Sequence, residues 1–240
     1  MACVSLAFFL VGSSAVADGA PEISVQDSVV VVSLDDGKAN AVGHGLIDAV
    51  NEALDRCEAD GKAIVIAGRP GVFSAGFDLK EFQKGVEATA ALVDKGAHMF
   101  LRLFAHPQPV IAACTGHAIA AGGFMLLAAD TRFGASGDFK IGLNETAIGM
   151  SLPVFALELS QARLSRRHIT ASVIQAQLFS PEQAVDAGFL DQVRAPGEVL
   201  DAAVAAATTL GELPGKAYGA NKRDIRAPFI AKIRSSLNLA

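Results

Sequence analysis

Glu145 is a lone carboxylate in the otherwise apolar stretch Ile141-Gly142-Leu143-Asn144-Glu145, and about twenty residues before it a run of small side chains extends from Ala118 to Gly123. A carboxylate in apolar surroundings is a candidate general base, and backbone N–H groups at a small-residue turn are a candidate anion hole. Together they are what is needed to pull a proton from a carbon beside a carbonyl and hold the resulting enolate. Each feature also has an ordinary reading. Glu145 suits a solvated surface position in a turn, and Ala75-Gly76 or Ala121-Gly122-Gly123 suit tight strand-to-helix turns in any α/β chain.

The elements that must position these residues alternate from Ile23 onward. Val29 to Leu34 is a β-branched run that ends at the turn Asp35-Asp36-Gly37, after which Leu46, Ile47, Val50 and Leu54 recur at helical spacing. Ala63 to Ala67 reads as a second buried strand, Leu92 to Phe104 as a second helix, and Val110 to Cys114 as a third strand bounded by Pro109 and Gly116. A further helix begins near Ala121. Ser180-Pro181-Glu182-Gln183 is a helix start, with Ser180 as N-cap, Pro181 at the first helical position and Gln183 completing a capping box, and that helix ends near Gly188. Leu200 to Leu210 and Lys222 to Ser235 read as terminal helices. Strands separated by helices imply an α/β chain whose parallel strands are covered by helices.

Composition narrows the partners. A chain of 240 residues, 51% hydrophobic and 19% charged, can bury a full core in one domain. A net charge of −5 argues against a nucleic-acid surface, and Arg166-Arg167 and Lys222-Arg223 are too small for a phosphate-tracking stripe, although they leave room for one phosphorylated ligand. Cys3, Cys57 and Cys114 are far apart, without a CxxC or a histidine at metal-ligand spacing, and read as reduced and structural. Val4 to Val11 followed by Ala15-Val16-Ala17 imitates an export signal, yet no Lys or Arg precedes Lys38; the segment is read as a retained apolar extension or a mis-set start rather than a working export signal, and the protein as cytoplasmic. No other stretch is long enough to span a membrane.

Three segments resemble the crotonase superfamily, the enoyl-CoA hydratase/isomerase family, over roughly Ile23 to Val193. Phe73-Ser74-Ala75-Gly76-Phe77-Asp78-Leu79-Lys80 is similar to the family's F-x-A-G-x-D-L loop, Gly116 to Asp130 to its N-G-x-A-x-G-G-G helix start, and Phe179 to Val193 to its A-x-x-x-G-L-v-d-x-V segment. The resemblance implies an α/β fold, a spiral of repeated β-β-α units over residues 21–195, preceded by an apolar extension (1–20) and followed by a helical segment (196–240) shorter than is usual in the family. It implies an acyl-CoA thioester as substrate, with the N–H groups of Phe77 and Ala121 at the thioester oxygen, no cofactor beyond the coenzyme A of the substrate, no metal, and a homotrimer or dimer of trimers. Ala121 stands where glycine is usual, but a backbone donor tolerates that change and the helix it opens favours an anion.

The acid and base positions choose among the family's reactions. Hydratases resemble one another in using two glutamates; the first position falls on Phe124 and the second on Glu145, a pattern similar to the mitochondrial-type Δ3,Δ2-enoyl-CoA isomerases. One base suffices to move a double bond, and a phenylalanine makes the pocket drier. The alternatives are another enolate reaction, as a hydratase or acyl-CoA hydrolase, and an acyl-CoA-binding protein without catalysis. Substrate contacts are expected from Lys38, Ala39 and Ala41 in the loop Lys38-Ala39-Asn40-Ala41, from Ala75, Gly76, Asp78 and Leu79, and from Gly122, Phe124 and Asn144. Lys38 or Lys80 either meets a phosphate or is an exposed loop cation. Asn144 either orients its loop or touches the acyl chain. His117 packs or bonds locally, and histidines 44, 98, 106 and 168 show no grouping.

Overall fold

The structure, a computed structural model, describes residues 20–26 and 28–239; the apolar run Val4 to Val11, the small residues after it and Cys3 lie outside the described residues. Four consecutive valines in β2 (Val29–Ser33) are buried on both faces of a sheet. The same holds for β3 (Ala63–Ala67) and β5 (Val110–Cys114), which explains why these strands read as unbroken apolar runs rather than alternating ones. Flanked by β1 (Glu22–Gln26), β7 (Thr131–Ala135) and β10 (Gln192–Arg194), they form a six-stranded sheet in the order β1-β2-β3-β5-β7-β10, parallel except for β1 against β2.

A second sheet, not visible as strands in the sequence reading, runs β4-β6-β8-β9 from Gly71–Ser74, Gly116–Ile119, Ile141–Gly142 and Leu178–Phe179. The chain visits the two sheets alternately. It passes β3 to β4 and then α3 (Val86–Ala105), β5 to β6 and then α4 (Ala121–Ala128), and β7 to β8 and then α5 (Val154–Arg163). These are repeated β-β-α units, each giving its first strand to the large sheet and its second to the small one.

Side-chain alternation divides the core. Val30, Val32, Ile64, Ile66 and Ala112 face α1 (His44–Asp60), α3 and α4, while Val29, Val31, Val65 and Ile111 face α7 (Val199–Gly211) through Val199, Ala203 and Ala207. A short α2 (Leu79–Phe82) precedes α3, and α6 (Pro181–Ala187) carries the full capping box on Ser180 and Gln183 and closes at Gly188. Two helices start earlier than their apolar spacing suggests: α3 at Val86 and α8 (Gly215–Ser236) at Gly215, because their first turns are exposed and carry little apolar periodicity. A buried polar cluster docks α8, in which Asp130 Oδ2 accepts from Val110 N–H, Tyr218 O–H and Lys222 Nζ at 2.8, 2.9 and 2.5 Å, and Asp130 Oδ1 forms an ion pair with Arg226 Nη2 at 2.8 Å. Cys57 and Cys114 are free and buried, and burial pushes both thiols up to about 12. No helix among the described residues is long and apolar enough to cross a membrane.

Candidate active site

Asn40 organises the first loop. Its φ of 48° is left-handed, and its amide nitrogen donates to the carbonyls of Leu34, Val72 and Phe73 at 2.8, 3.2 and 3.2 Å, which ties the loop after β2 to β4. Asp36 receives the N–H groups of Lys38, Asn40 and Ala41. Burial pushes its carboxyl upward, but those donors and the Arg69 guanidinium outweigh burial and hold it below the ordinary value. The Arg69 guanidinium also donates to the Lys38 carbonyl. The sequence assigns this loop, Asn40 included, to substrate contact, but neither the structural role of Asn40 nor that of Arg69 is visible in it.

That loop pairs with the one after β4. Ala75 N–H donates to Ala39 O (3.0 Å), Val42 N–H to Gly76 O (2.8 Å) and Asp78 N–H to Val42 O (3.3 Å). Donors alternate sides along an extended segment, so this pairing turns the Phe77 N–H the other way. Among the described residues it has no backbone acceptor, and neither does the N–H of Ala121, the first residue of α4. The two connections touch: a Cβ on Gly76, whose φ is +113°, would lie 3.2 Å from the Ala120 methyl and 3.9 Å from the Ala121 nitrogen.

The first turn of α4 is wedged between the other strands of the small sheet. A Cβ on Gly122 would meet the Ser74 carbonyl oxygen at 2.3 Å, and one on Gly123 would meet Leu143 Cδ2 at 2.9 Å and the Gly142 carbonyl at 3.0 Å. Only glycine permits such an approach from both sides. Gly122 is therefore turned onto β4 rather than into a cavity, and Ala121 is fully buried.

The segment after β8 brings the carboxylate. Glu145 is 7% exposed, and its Oε2 has no hydrogen-bond partner, as is true of Asn144 Oδ1. Burial raises the proton affinity of Glu145 above that of an ordinary glutamate, against the pull of its own N–H and that of Asn144. The Glu145 carbonyl accepts from Ile148 and Met150 N–H at 3.1 and 2.9 Å, which holds it at the head of a single tight helical turn. This disposes of the ordinary reading of Glu145, since a solvated turn residue would not be buried.

A cavity of about 360 Å³ is bordered by Ala75, Gly76, Phe77, Leu79, Ala120, Phe124, Asn144 and Glu145, and by Phe82, Val93, Ile148, Met150, Ser151, Pro153 and Phe155. Phe124 is locked edge-on against Phe100 and Phe155, with ring centroids 6.0 and 5.5 Å apart, and Phe100 stacks on Phe155 at 5.5 Å. Asp78 and Ala41 instead border a neighbouring cavity of about 340 Å³ with Asp35, Asp36, His44 and Glu81, while Lys38 and Ala39 border neither. Asp78 caps α2 by accepting from Lys80 N–H at 2.9 Å, and the Lys38 and Lys80 side chains are exposed. His117 lies off the cavity, where its Nδ1 accepts from Lys140 N–H (3.0 Å) and its ring meets Phe139 edge-on. The apolar border from Ile148 to Phe155 carried no sequence signal that separates a pocket wall from core.

A family model for enoyl-CoA hydratase/isomerase matches residues 24–237. A probable enoyl-CoA hydratase of Bacillus subtilis is 32% identical over 199 residues, which is 79% of this chain and 75% of that protein. Among solved structures, an enoyl-CoA hydratase/isomerase family protein from Pseudomonas syringae superposes with a TM-score of 0.88 at 38% identity, covering 91% of this chain and 95% of the other. A protein of Mycobacterium tuberculosis superposes at 0.87 with 37% identity, covering 92% and 97%, in an apo structure that names it an enoyl-CoA isomerase, and at 0.87 with 39% identity, covering 91% and 93%, in a second structure that names it a probable enoyl-CoA hydratase.

Proposed function

Because the chain belongs to the enoyl-CoA hydratase/isomerase family, we propose that it binds an acyl-CoA thioester and moves the double bond of a 3-enoyl group to the 2-position, with Glu145 as its single base. The border of the cavity carries this reading. Glu145 is the one carboxylate among the described residues that line it, and Phe124 brings a ring rather than an acid from α4. The thioester oxygen accepts from the N–H groups of Phe77 and Ala121, at the positive end of α4. Glu145 removes a proton from C2, the electron pair delocalises through C1 onto that oxygen and along the C3–C4 double bond, and the protonated glutamate returns the proton to C4. The raised proton affinity of Glu145 suits both halves of the step, since it must first take and then give a proton.

The loops at Lys38 to Ala41 and Ala75 to Leu79 hold the coenzyme A portion, with Lys38 or Lys80 at a phosphate, while Phe124 and Asn144 contact the acyl group. No cofactor beyond coenzyme A, a homotrimer or dimer of trimers, and a cytoplasmic location belong to the same proposal. Hydration is the second reading. Asn144 and Ser151 give the cavity two further polar side chains that can hold a water. Incubating the purified protein with 3-enoyl-CoA and with 2-enoyl-CoA decides between them. Conversion of the first without hydration of the second is the expected result; hydration at a comparable rate sinks the isomerase reading, and binding without conversion of either leaves a carrier.

A further inference from the structure

The catalytic cavity has a neighbour on its apolar side. Val93, Pro153 and Phe155 border it and also border a second cavity of about 440 Å³, to which Ala90 and Ala97 of α3, Val154 at the start of α5 and Leu237 after α8 contribute. Apart from Asp94 and Ser236, the border of this second cavity is apolar. A row of rings leads from one cavity to the other. Phe77, which supplies one of the two proposed N–H donors, meets Phe100 edge-on with centroids 6.2 Å apart, and Phe100 stacks on Phe155 at 5.5 Å. The donor end of the catalytic cavity and the second cavity thus mark the two ends of this row. The shared residues differ in how firmly they are held. Phe155 is 3% exposed and packs on both Phe100 and Phe124, and the Pro153 carbonyl accepts from Ala156 and Leu157 N–H at 3.0 and 3.2 Å. Val93 is half-buried and brings only a short apolar side chain from α3.

We propose that the second cavity takes the distal methylenes of the acyl chain, which passes Val93 and Phe155 to reach it, so that the site serves straight chains of medium to long length. The inference rests on the enolate reading above. With the thioester oxygen at Phe77 and Ala121, and C2 and C4 at Glu145, every carbon beyond C4 must continue along the remaining border of the catalytic cavity. That border offers two directions. Outward it runs over Leu79, Ile148 and Met150, which are 66%, 58% and 39% exposed, so a chain laid there stays in contact with water. Inward it runs past Phe155 toward Ala97, which is 1% exposed. Removal from water is what binds an alkyl chain, at about fourfold in affinity per buried methylene, and this favours the inward course. The second cavity meets solvent at Ala90 and Val154, so a chain that outgrows it still has an exit.

The test measures dissociation constants of straight saturated acyl-CoA thioesters with four, eight and twelve carbons, and kcat/KM for a short and a long straight 3-enoyl-CoA. Both series are run on the parent, Ala90→Phe and Val154→Trp. These substitutions fill the second cavity from exposed positions that do not border the catalytic one, and they do so from two different helices, so a folding defect in one variant leaves the other to decide. In the parent, affinity climbs with chain length by about fourfold per methylene that enters the second cavity. A ring that displaces two methylenes forfeits more than about tenfold, so the preference for the long chain over the short one falls by at least that factor in the variants, in binding and in kcat/KM alike. A preference unchanged in the folded variants overturns the inference and sends the chain outward over Leu79 and Met150. If the parent turns over a short 3-enoyl-CoA and gains nothing from added length, the inference alone falls. If the parent binds none of the thioesters, the acyl-CoA reading has failed and takes the inference with it.

Discussion

Replacing Glu145 with glutamine should abolish chemistry while raising stability, a combination that a merely structural residue would not give. The amide matches the carboxylate in size and fits the same site, 7% exposed, but it cannot accept a proton. Loss of a general base typically costs about a hundred- to ten-thousandfold in turnover, or about 3 to 5 kcal/mol of barrier. The stability change has the opposite sign. Burial raises the folded-state proton affinity of Glu145 above its ordinary value of 4.5, so the native state binds this proton more tightly than the unfolded chain does. The stability it contributes is full at low pH and is lost as pH rises above 4.5 and through the folded value. Above the folded value the ionised side chain, with Oε2 unpartnered, is therefore a cost that glutamine removes. Three measurements read this out: isomerisation at saturating 3-enoyl-CoA, the dissociation constant of a saturated acyl-CoA, and the urea midpoint at pH ~7. We expect lost turnover, near-parental binding and a midpoint at or above the parent's. For the parent, kcat/KM should rise with pH through an apparent pKa above 4.5. Parental turnover in Glu145→Gln refutes the base assignment, and turnover lost together with a lowered midpoint refutes the separation of chemistry from packing.

Three further outcomes follow from contacts around the site. Gly122→Ala places a methyl 2.3 Å from the Ser74 carbonyl, and since backbone cannot swing aside, the start of α4 must move; we expect a loss of about 1 to 3 kcal/mol in urea unfolding and more than about tenfold in turnover, and parental values for both would show that the wedge is not needed. Asp130→Asn leaves Lys222 and Arg226 buried without their counter-charge, which should cost about 3 to 5 kcal/mol, and a change under about 1 kcal/mol would refute the role of the cluster in docking α8. His106 is 2% exposed and has its pKa pushed down to about 4 by burial, with Lys222 adding to the shift and Asp130 opposing it. Because the unfolded chain takes the proton near the ordinary 6.5, stability should fall by roughly 3 kcal/mol as pH drops from 6.5 to 4. His106→Asn should flatten that part of the stability curve, and an unchanged slope would assign it to other groups.

Three strands of the large sheet, β2, β3 and β5, were legible because they are buried on both faces, so their apolar character is continuous and local, whereas its strands β1, β7 and β10 were not read. The small sheet was not, because its strands are two to four residues long and sit inside stretches that read as loops, such as Gly71–Ser74 and Gly116–Ile119. Pairing between parallel strands is non-local and leaves no spacing signal in either one. The same holds for the cavity border at Ile148, Met150 and Phe155, whose contacts come from distant segments. Asn40 was read only as part of a substrate loop, since a polar residue after a turn does not reveal that its amide is satisfied by three carbonyls from two other segments.

The small sheet nevertheless explains why segments so far apart in the chain reach one cavity. Its strands β4, β6 and β8 are parallel neighbours, and Ser74, Ala118 and Ile141 stand opposite one another. Three residues beyond each of these lie Phe77, Ala121 and Asn144, and Glu145 is next. Parallel strands run about 4.8 Å apart, so three segments that leave in register at the same end of the sheet remain within about 10 Å of each other. Each is then bent by its own device: the pairing with Lys38 to Val42 after β4, the start of α4 after β6, and the tight turn at Thr146–Ile148 after β8. The glycine contacts of α4 with Ser74 and Gly142 lock this alignment from both sides. A repeated β-β-α unit thus presents the same point of its path three times, and divergence at that point suffices to supply the two backbone N–H groups and the carboxylate on which the proposed mechanism rests. Lengthening one of these second strands by a residue would carry its group out of line with the other two while leaving the large sheet intact, so the chemistry is more sensitive to register in the small sheet than the fold is.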